Sequence, residues 1–240
     1  MKILAIGDIH GRKTWERFVN TELYDKIIFI GDYFDSFDIP GNRQIENFSK
    51  IMELKMNHDD KVVLLIGNHD FHYLDMGEQY SGFQRGFQYE IREMVKNNLE
   101  HMQMCFIYEN FIFTHAGITN TWLKSVGYTG EGPIDSFINE LFKFTPKKFC
   151  FTPGPKHDSY GNEMCQTPIW VRPEALRADM LRTISEKPLK VWTQVVGHTQ
   201  RTNIILADDI IAIDVLDYEA KALQIIDGVP SIVKLSPLTL

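Results

Sequence analysis

Five short stretches of this chain end in side chains that can hold a metal ion or move a proton. They are Gly7-Asp8-Ile9-His10-Gly11, Gly31-Asp32-Tyr33-Phe34-Asp35, Gly67-Asn68-His69-Asp70, Thr114-His115-Ala116-Gly117 and Gly197-His198-Thr199. Asp, His and Asn together offer mixed oxygen and nitrogen ligands, a set that suits manganese, iron, zinc, cobalt or nickel and excludes a thiolate cluster. A carboxylate in such a set can bridge two cations at ~3.5–4 Å; the pair would polarise a phosphoryl group and lower the pKa of bound water. A neighbouring group able to protonate a leaving oxygen would complete a hydrolysis. Singly, each stretch is weak. Gly-Asp after a strand is commonly just a turn, and a lone His in an apolar run is commonly a satisfied core residue. The combination carries the signal, because at roughly 5–7% usage per residue type a set like Gly7, Asp8, His10 and Gly11 arises by chance about once in 10⁵ windows.

Each stretch follows an apolar, largely β-branched run: residues 2–6, 26–30, 61–66, 111–113 and 194–196. Short continuous apolar runs bounded by turn residues predict buried strands. Helices are predicted between or after them over Arg12–Leu23, Arg43–Met56, Gly86–Leu99, Pro133–Phe144 and Pro173–Ile184, the second from the helical spacing of Ile45, Phe48, Ile51, Met52 and Met56. Strand–helix–strand units give right-handed crossovers and parallel pairing. Ligands of open α/β sheets bind beyond the carboxyl ends of the strands, where all five stretches lie, and parallel neighbours would bring those ends to one edge. Toward the end, Ile204–Leu206, Ile210–Ile213 and Ala222–Ile226 read as strands in hairpins, with Asp-Asp and Asp-Gly turn signals. Two mixed sheets covered by helices, in one domain over residues 1–240, summarise this pattern.

As an ordered series over residues 2 to about 214, these motifs resemble the calcineurin-like metallophosphoesterases, closest to the branch of serine/threonine phosphatases and bacterial diadenosine tetraphosphatase. The resemblance implies an α/β, four-layer αββα sandwich of two mixed sheets flanked by helices. It also implies roles by position. Asp8 and His10 would hold a first metal, Asp32 would bridge, and Asn68, His115 and His198 would hold a second. His69 would donate the proton or steady the phosphate, and Asp35 would orient His69. The implied cofactors are two divalent ions, manganese in vitro, with iron, zinc, cobalt or nickel also compatible. The series is specific for fold and metal centre and says little of substrate.

Two positions depart from the pattern. Gln200 stands where many superfamily members have a further His, and Ser36-Phe37 stand where the serine/threonine branch has Arg-Gly. Arg172, in Trp170-Val171-Arg172-Pro173, resembles a tryptophan–arginine stretch of the diadenosine tetraphosphatase branch; its planar guanidinium suits bidentate phosphate binding. Arg12 and Arg201 read as solvated. The aromatics from Phe71 to Tyr89 could wall a pocket and stack a nucleobase or simply belong to the core. The Pro/Gly-rich segment Phe151–Thr167 reads as a long loop near the site.

The 240 residues suffice for one large domain with a substantial core, and the formal net charge of −7 disfavours extended binding to nucleic acid. The three cysteines, Cys105, Cys150 and Cys165, imply no disulfide framework and read as buried thiols rather than as a zinc site with His157. Met102, Met104 and Phe106 read as core rather than as an interface, and oligomeric state is open. No signal peptide or membrane span is read, which places the chain in the cytoplasm. The expectation is a dinuclear-metal phosphoesterase hydrolysing a phosphate monoester, on a phosphoprotein, nucleotide or small phosphate, by attack of metal-activated water. Cleavage of a phosphodiester or dinucleoside polyphosphate is the alternative, and a non-catalytic scaffold of the same fold a third reading.

Overall fold

The apolar runs are strands in this computed structural model, which describes residues 1–75, 78–183 and 192–235. In chain order the elements are β1 (Lys2–Ile6), β2 (Lys26–Phe29), α1 (Gly41–Asn57), β3 (Val62–Leu65), α2 (Asn68–Phe71), α3 (Gln88–Asn97), β4 (Met102–Gln103), β5 (Phe106–Tyr108) and β6 (Phe111–Phe113). They continue with α4 (Asn120–Ser125), α5 (Ile134–Phe144), α6 (Pro173–Thr183), β7 (Thr193–Val196), β8 (Ile205–Leu206), β9 (Ile210–Ala212), β10 (Lys221–Ile226) and β11 (Val229–Lys234).

One mixed sheet runs β11-β10-β1-β2-β3-β4 and the other β5-β6-β7-β9-β8. β1 to β4 are parallel to their neighbours, with β10 antiparallel to β1. In the second sheet β6, β7 and β9 are parallel. The alternation of side chains along each strand builds the layers. Ile3, Ala5, Ile28 and Ile30 meet Phe113, Val195 and Ile211 between the sheets. Leu4, Ile6, Ile27 and Phe29 point the other way, onto Phe48 and Ile51 of α1 and Ile91 and Val95 of α3. On the far side Ala175 and Leu176 of α6 cover Val196, Ile210 and Ala212. The central strands β1, β2, β3, β6, β7 and β9 are thus dry on both faces, which is why they read as continuous apolar runs; each fully buried large side chain contributes roughly 1.5–3 kcal/mol. Helix–sheet–sheet–helix is the expected four-layer sandwich. Met102 and Met104 are buried and Phe106 packs against the inter-sheet cluster.

Three expectations change. The helix predicted over Arg12–Leu23 is only a 3₁₀ turn at Thr14–Arg17. Polar side chains outcompete the helix there: Trp15 Nε1 donates to Asn47 Oδ1, Asn47 Nδ2 donates to the Arg12 carbonyl, and the Asn20 side chain accepts from the Glu22 and Leu23 amides. The five strand ends do not share one sheet edge but come from two sheets. Cys150 and Cys165 are half-buried rather than buried. The hairpins β8–β9 and β10–β11 form as antiparallel pairs, β11 being a strand missed in the sequence. Ile184 of the last predicted helix lies outside the described residues.

Candidate metal centre and active site

All six expected metal ligands meet where the carboxyl ends of β1, β2 and β3 face those of β6 and β7. Asp8, Asp32 and His115 alone bring ligand atoms within 4.8 Å of one another. Four of the eight described non-glycine residues with left-handed backbone are here: His10 (φ 42°), Asp32 (52°), Asp35 (70°) and His198 (61°). Such backbone is costly and persists only where surrounding contacts over-determine it. Two glycines explain the Gly-Asn and Gly-His pairs. A Cβ on Gly67 would lie 2.0 Å from Asp32 Oδ1, and one on Gly197 would lie 2.0 Å from Asp8 Oδ1. Each glycine makes room for a carboxylate from a neighbouring loop.

Hydrogen bonds aim the ligand atoms. The His69 amide donates to Asp32 Oδ1 at 2.9 Å, and the His198 amide donates to Asp8 Oδ2 at 2.9 Å. His10 Nδ1 donates to the Phe34 carbonyl at 2.5 Å, and His115 Nδ1 donates to the Ile30 carbonyl at 3.0 Å. A carbonyl only accepts, so each Nδ1 carries a proton, and each Nε2 is the ring atom left to offer a lone pair to a cation. Both Nε2 atoms face Asp32 Oδ2, at 3.7 Å for His10 and 3.3 Å for His115. His115 Nε2 and His198 Nδ1 also converge on Asn68 Oδ1, at 3.0 and 2.8 Å. His198 Nε2 is buried with no hydrogen-bond partner among the described residues. Lone pairs converging on a carboxylate need a positive charge between them. The donor set fits two cations, Asp8, His10 and Asp32 on one side and Asp32, Asn68, His115 and His198 on the other.

The titration behaviour reports the crowding of charge: burial opposes the His115 proton, yet Asp32 raises His115, holding a positive charge where a cation would sit. Burial, with Asp214 and Asp32 close by, pushes Asp8 well above the usual carboxylate range. Burial and Asp32 raise Asp214 to about 6 and Asp70 to about 7. Asp32 goes the other way, well below its ordinary value: burial opposes this, but His115 and His69 outweigh it. Burial lowers His10 to about 4 and, with His115, drives His198 well down, leaving both as neutral ligands. His69 stands apart. Burial works against its proton, yet the charges of Asp32 and Asp35 hold it at about 9.

The model of the calcineurin-like phosphoesterases matches residues 1–201. The chain belongs to this family. A "probable serine/threonine-protein phosphatase" of Encephalitozoon cuniculi (strain GB-M1) is 23% identical over 190 residues, 73% of this chain and 34% of that protein. The chain thus spans about a third of that relative's length. Among solved structures, a cold-active protein-tyrosine phosphatase of a psychrophilic Shewanella species superposes with a TM-score of 0.60 at 18% identity, covering 98% of this chain and 80% of the other. A second structure of a cold-active protein tyrosine phosphatase gives 0.58 at 17%, covering 96% and 78%. These likenesses share the fold.

The candidate site opens into a cavity of about 430 Å³ that also holds Arg12, Tyr80, Tyr160, Trp170, Arg172 and Asp214. Arg172 reaches it with Nε donating to the Tyr160 carbonyl at 2.5 Å and Nη1 to Thr199 Oγ1 at 3.4 Å. Arg12, read from sequence as solvated, lines the cavity in a salt bridge with Asp217. Gln200 also donates to Asp217, so the residue replacing the family's extra His is occupied elsewhere. Arg201 pairs with Glu174 at 3.7 Å, away from the cavity. Of the aromatics between Phe71 and Tyr89, Phe71 and Tyr73 are core, Tyr89 is exposed away from the cavity, and Tyr80 alone of these lines it. The exposed aromatics at its wall are Phe37 (81% exposed) and Tyr160 (68%).

Sequence reading missed Asp214, although it follows the apolar run of β9 as Asp8 follows that of β1. It also gave no role to Asp70, whose carboxylate accepts from the amides of Asp32 (2.8 Å), Tyr33 (2.8 Å) and Gly67 (2.9 Å), lacing the turn after β2 to that after β3. Among the described residues, no helix is long and apolar enough to cross a membrane.

Proposed function

We propose that this chain, acting as a single domain, is a dinuclear-metal phosphatase that hydrolyses phosphate monoesters. The convergence of the His10 and His115 lone pairs on Asp32 Oδ2, with the proton-bearing His69 alongside, carries the reading. Asp8, His10 and Asp32 would hold one cation, and Asp32, Asn68, His115 and His198 the other. When bound, the cations would polarise the phosphoryl oxygens and make water a better nucleophile. The chain's own residues supply the rest. Arg172 would grip a phosphoryl oxygen. Water oxygen bonds to phosphorus as one of its protons leaves to solvent, the ester P–O bond breaks with its pair on the leaving oxygen, the His69 proton completes the alcohol, and His69 regains a proton from solvent for the next turnover. Asp35 accepts from His69 Nδ1 at 2.8 Å and would keep Nε2 toward the leaving group. The acidic chain disfavours a long polyanion and leaves a small phosphorylated substrate or a phosphoprotein, proposed here in a cytoplasmic setting; the mixed oxygen and nitrogen donors suit manganese as the metal supplied in vitro.

A second reading, hydrolysis of a dinucleoside polyphosphate, is favoured by Phe37 and Tyr160, whose rings are free to stack a base at the cavity wall. Initial rates with Mn²⁺ on an aryl phosphate monoester and on diadenosine tetraphosphate decide between them. A dominant monoester rate supports the phosphatase, a dominant dinucleotide rate the second reading, and metal binding without either sinks the first.

A further inference from the structure

A second group within metal-binding reach, Asp35, His69 and His72, lies beside the centre. Its atoms are already engaged with one another and with the pocket wall. The Tyr80 amide donates to His72 Nδ1 at 3.3 Å. His72 Nδ1 therefore presents a lone pair, and the ring proton sits on Nε2. That Nε2 is 2.6 Å from Asp35 Oδ2, the same oxygen that takes the His69 Nδ1 proton at 2.8 Å. The His72 contact is close but bent away from full hydrogen-bond geometry, as catalytic contacts are before substrate tightens them. The other oxygen of Asp35 accepts from the Tyr73 hydroxyl at 2.6 Å, and that hydroxyl takes the Gln84 amide at 2.9 Å.

Asp35 is thus held from behind by His72 and Tyr73, and both are tied to the wall segment from Tyr80 to Gln84. The His72 side chain is fully buried. Its ring stacks on Tyr80 (5.9 Å, 6°) and meets Tyr73 and Phe83 edge-on at 4.6 and 4.9 Å. Tyr80 in turn lies 4.3 Å from Trp170, whose ring is edge-on to the His198 ring. A buried imidazole serving only as filler would be an expensive choice over Phe or Leu.

We propose that His72 is a positioning residue for the leaving-group proton. Its Nε2–H fixes Asp35 Oδ2, and Asp35 fixes the His69 ring, so that the pocket wall and the proton donor are set together. This rests on His69 as the donor. Leaving groups separate the two ideas, because p-nitrophenolate departs without a proton and an alkoxide does not. With the Mn²⁺-loaded protein, His72→Leu is expected to lower kcat on glycerol 2-phosphate about tenfold, a fraction of the 10²–10⁴ available to a general acid. It should change kcat on p-nitrophenyl phosphate less than about twofold. His72→Gln, which keeps an N–H near Nε2, should recover most of the loss. An equal loss on both substrates, or none on either, overturns the proposal. His69→Asn is the control: if it shows no preference for the poor leaving group, the reading of His69 fails whatever His72 does. Should His72→Leu not fold, ¹⁵N–¹H NMR of the unmutated protein still decides. The Nε2–H tautomer of His72 is expected, and the Nδ1–H tautomer would overturn the proposal.

Discussion

Replacing Asp35 by Asn tests the proton donor most directly. His69 is held at about 9 against an ordinary 6.5, with burial opposing and Asp32 and Asp35 raising it, Asp35 through both a hydrogen bond and its charge. The amide side chain would keep the shape and lose the charge, so the His69 pKa should fall to the ordinary range or below. At pH 8 a group at about 9 is roughly nine-tenths protonated, and one at 6.5 only about 3%. The difference is about 30-fold, or ~2 kcal/mol, in the population of the acid form. The sign is fixed: a raised His holds its proton below the ordinary value and loses it as pH rises through the folded value, so activity needing that proton falls on the alkaline side. Bound cations would lower wild type and variant alike, so the separation of the two alkaline limbs is the quantity to read. The assay is kcat against pH on glycerol 2-phosphate with Mn²⁺. Asp35→Asn should move the limb down by up to about 2.5 pH units, from about 9 toward 6.5; an unmoved limb would refute the role of Asp35 in holding the His69 proton.

Four further outcomes are expected. Asp32→Asn should cut Mn²⁺-supplemented hydrolysis by about 10³ or more with circular dichroism unchanged, and full activity would remove Asp32 as the bridging ligand. Gly67→Ala should cost about 1–3 kcal/mol in thermal unfolding and most of the activity, since its Cβ would lie 2.0 Å from Asp32 Oδ1; a neutral result would mean the carboxylate is free to shift. Arg172→Ala should raise KM about tenfold with a smaller change in kcat, read by initial rates on the aryl monoester. Chelation should destabilise the protein most above pH 7. Asp70 and Asp214 have folded values of about 7 and 6, above the unfolded 3.8, so the metal-free form loses stability as pH rises from that unfolded value through those folded values and regains it on acidification. Melting curves of chelated and Mn²⁺-loaded protein from pH 5 to 8 should converge toward the acid end.

The central strands and the larger helices were legible because those strands are buried on both faces and so are unbroken apolar runs, three of them followed by Gly-Asp or Gly-Asn. The segment from Arg12 to Leu23 was misread because its apolar spacing is helical while Asn20 and Asn47 take its backbone groups. The sequence left the aromatics from Phe71 to Tyr89 open between pocket wall and core, and Phe71 and Tyr73 are core, because periodicity cannot say which face of an irregular segment meets the sheet. Phe37 and Tyr160, in stretches the sequence placed near the site but gave no aromatic role, stand at the cavity, because exposure at one place is a property of several loops together.

The sequence by itself nominated the six candidate metal ligands, Asp8, His10, Asp32, Asn68, His115 and His198. Ligand identity is a matter of side-chain chemistry, and each ligand sits in a local motif whose glycine and apolar run announce a strand end. Only the tertiary structure decided how those ends meet and what stands behind them. Asp8 is held by the amide of His198, 190 residues away, across the junction of two sheets. Asp70, Asp214 and His72 act by contacts of the same kind, which carry no local pattern because their partners come from other loops. Whether a buried polar side chain is filler or machinery depends on what it touches, and those contacts exist only once the two sheets have closed on each other.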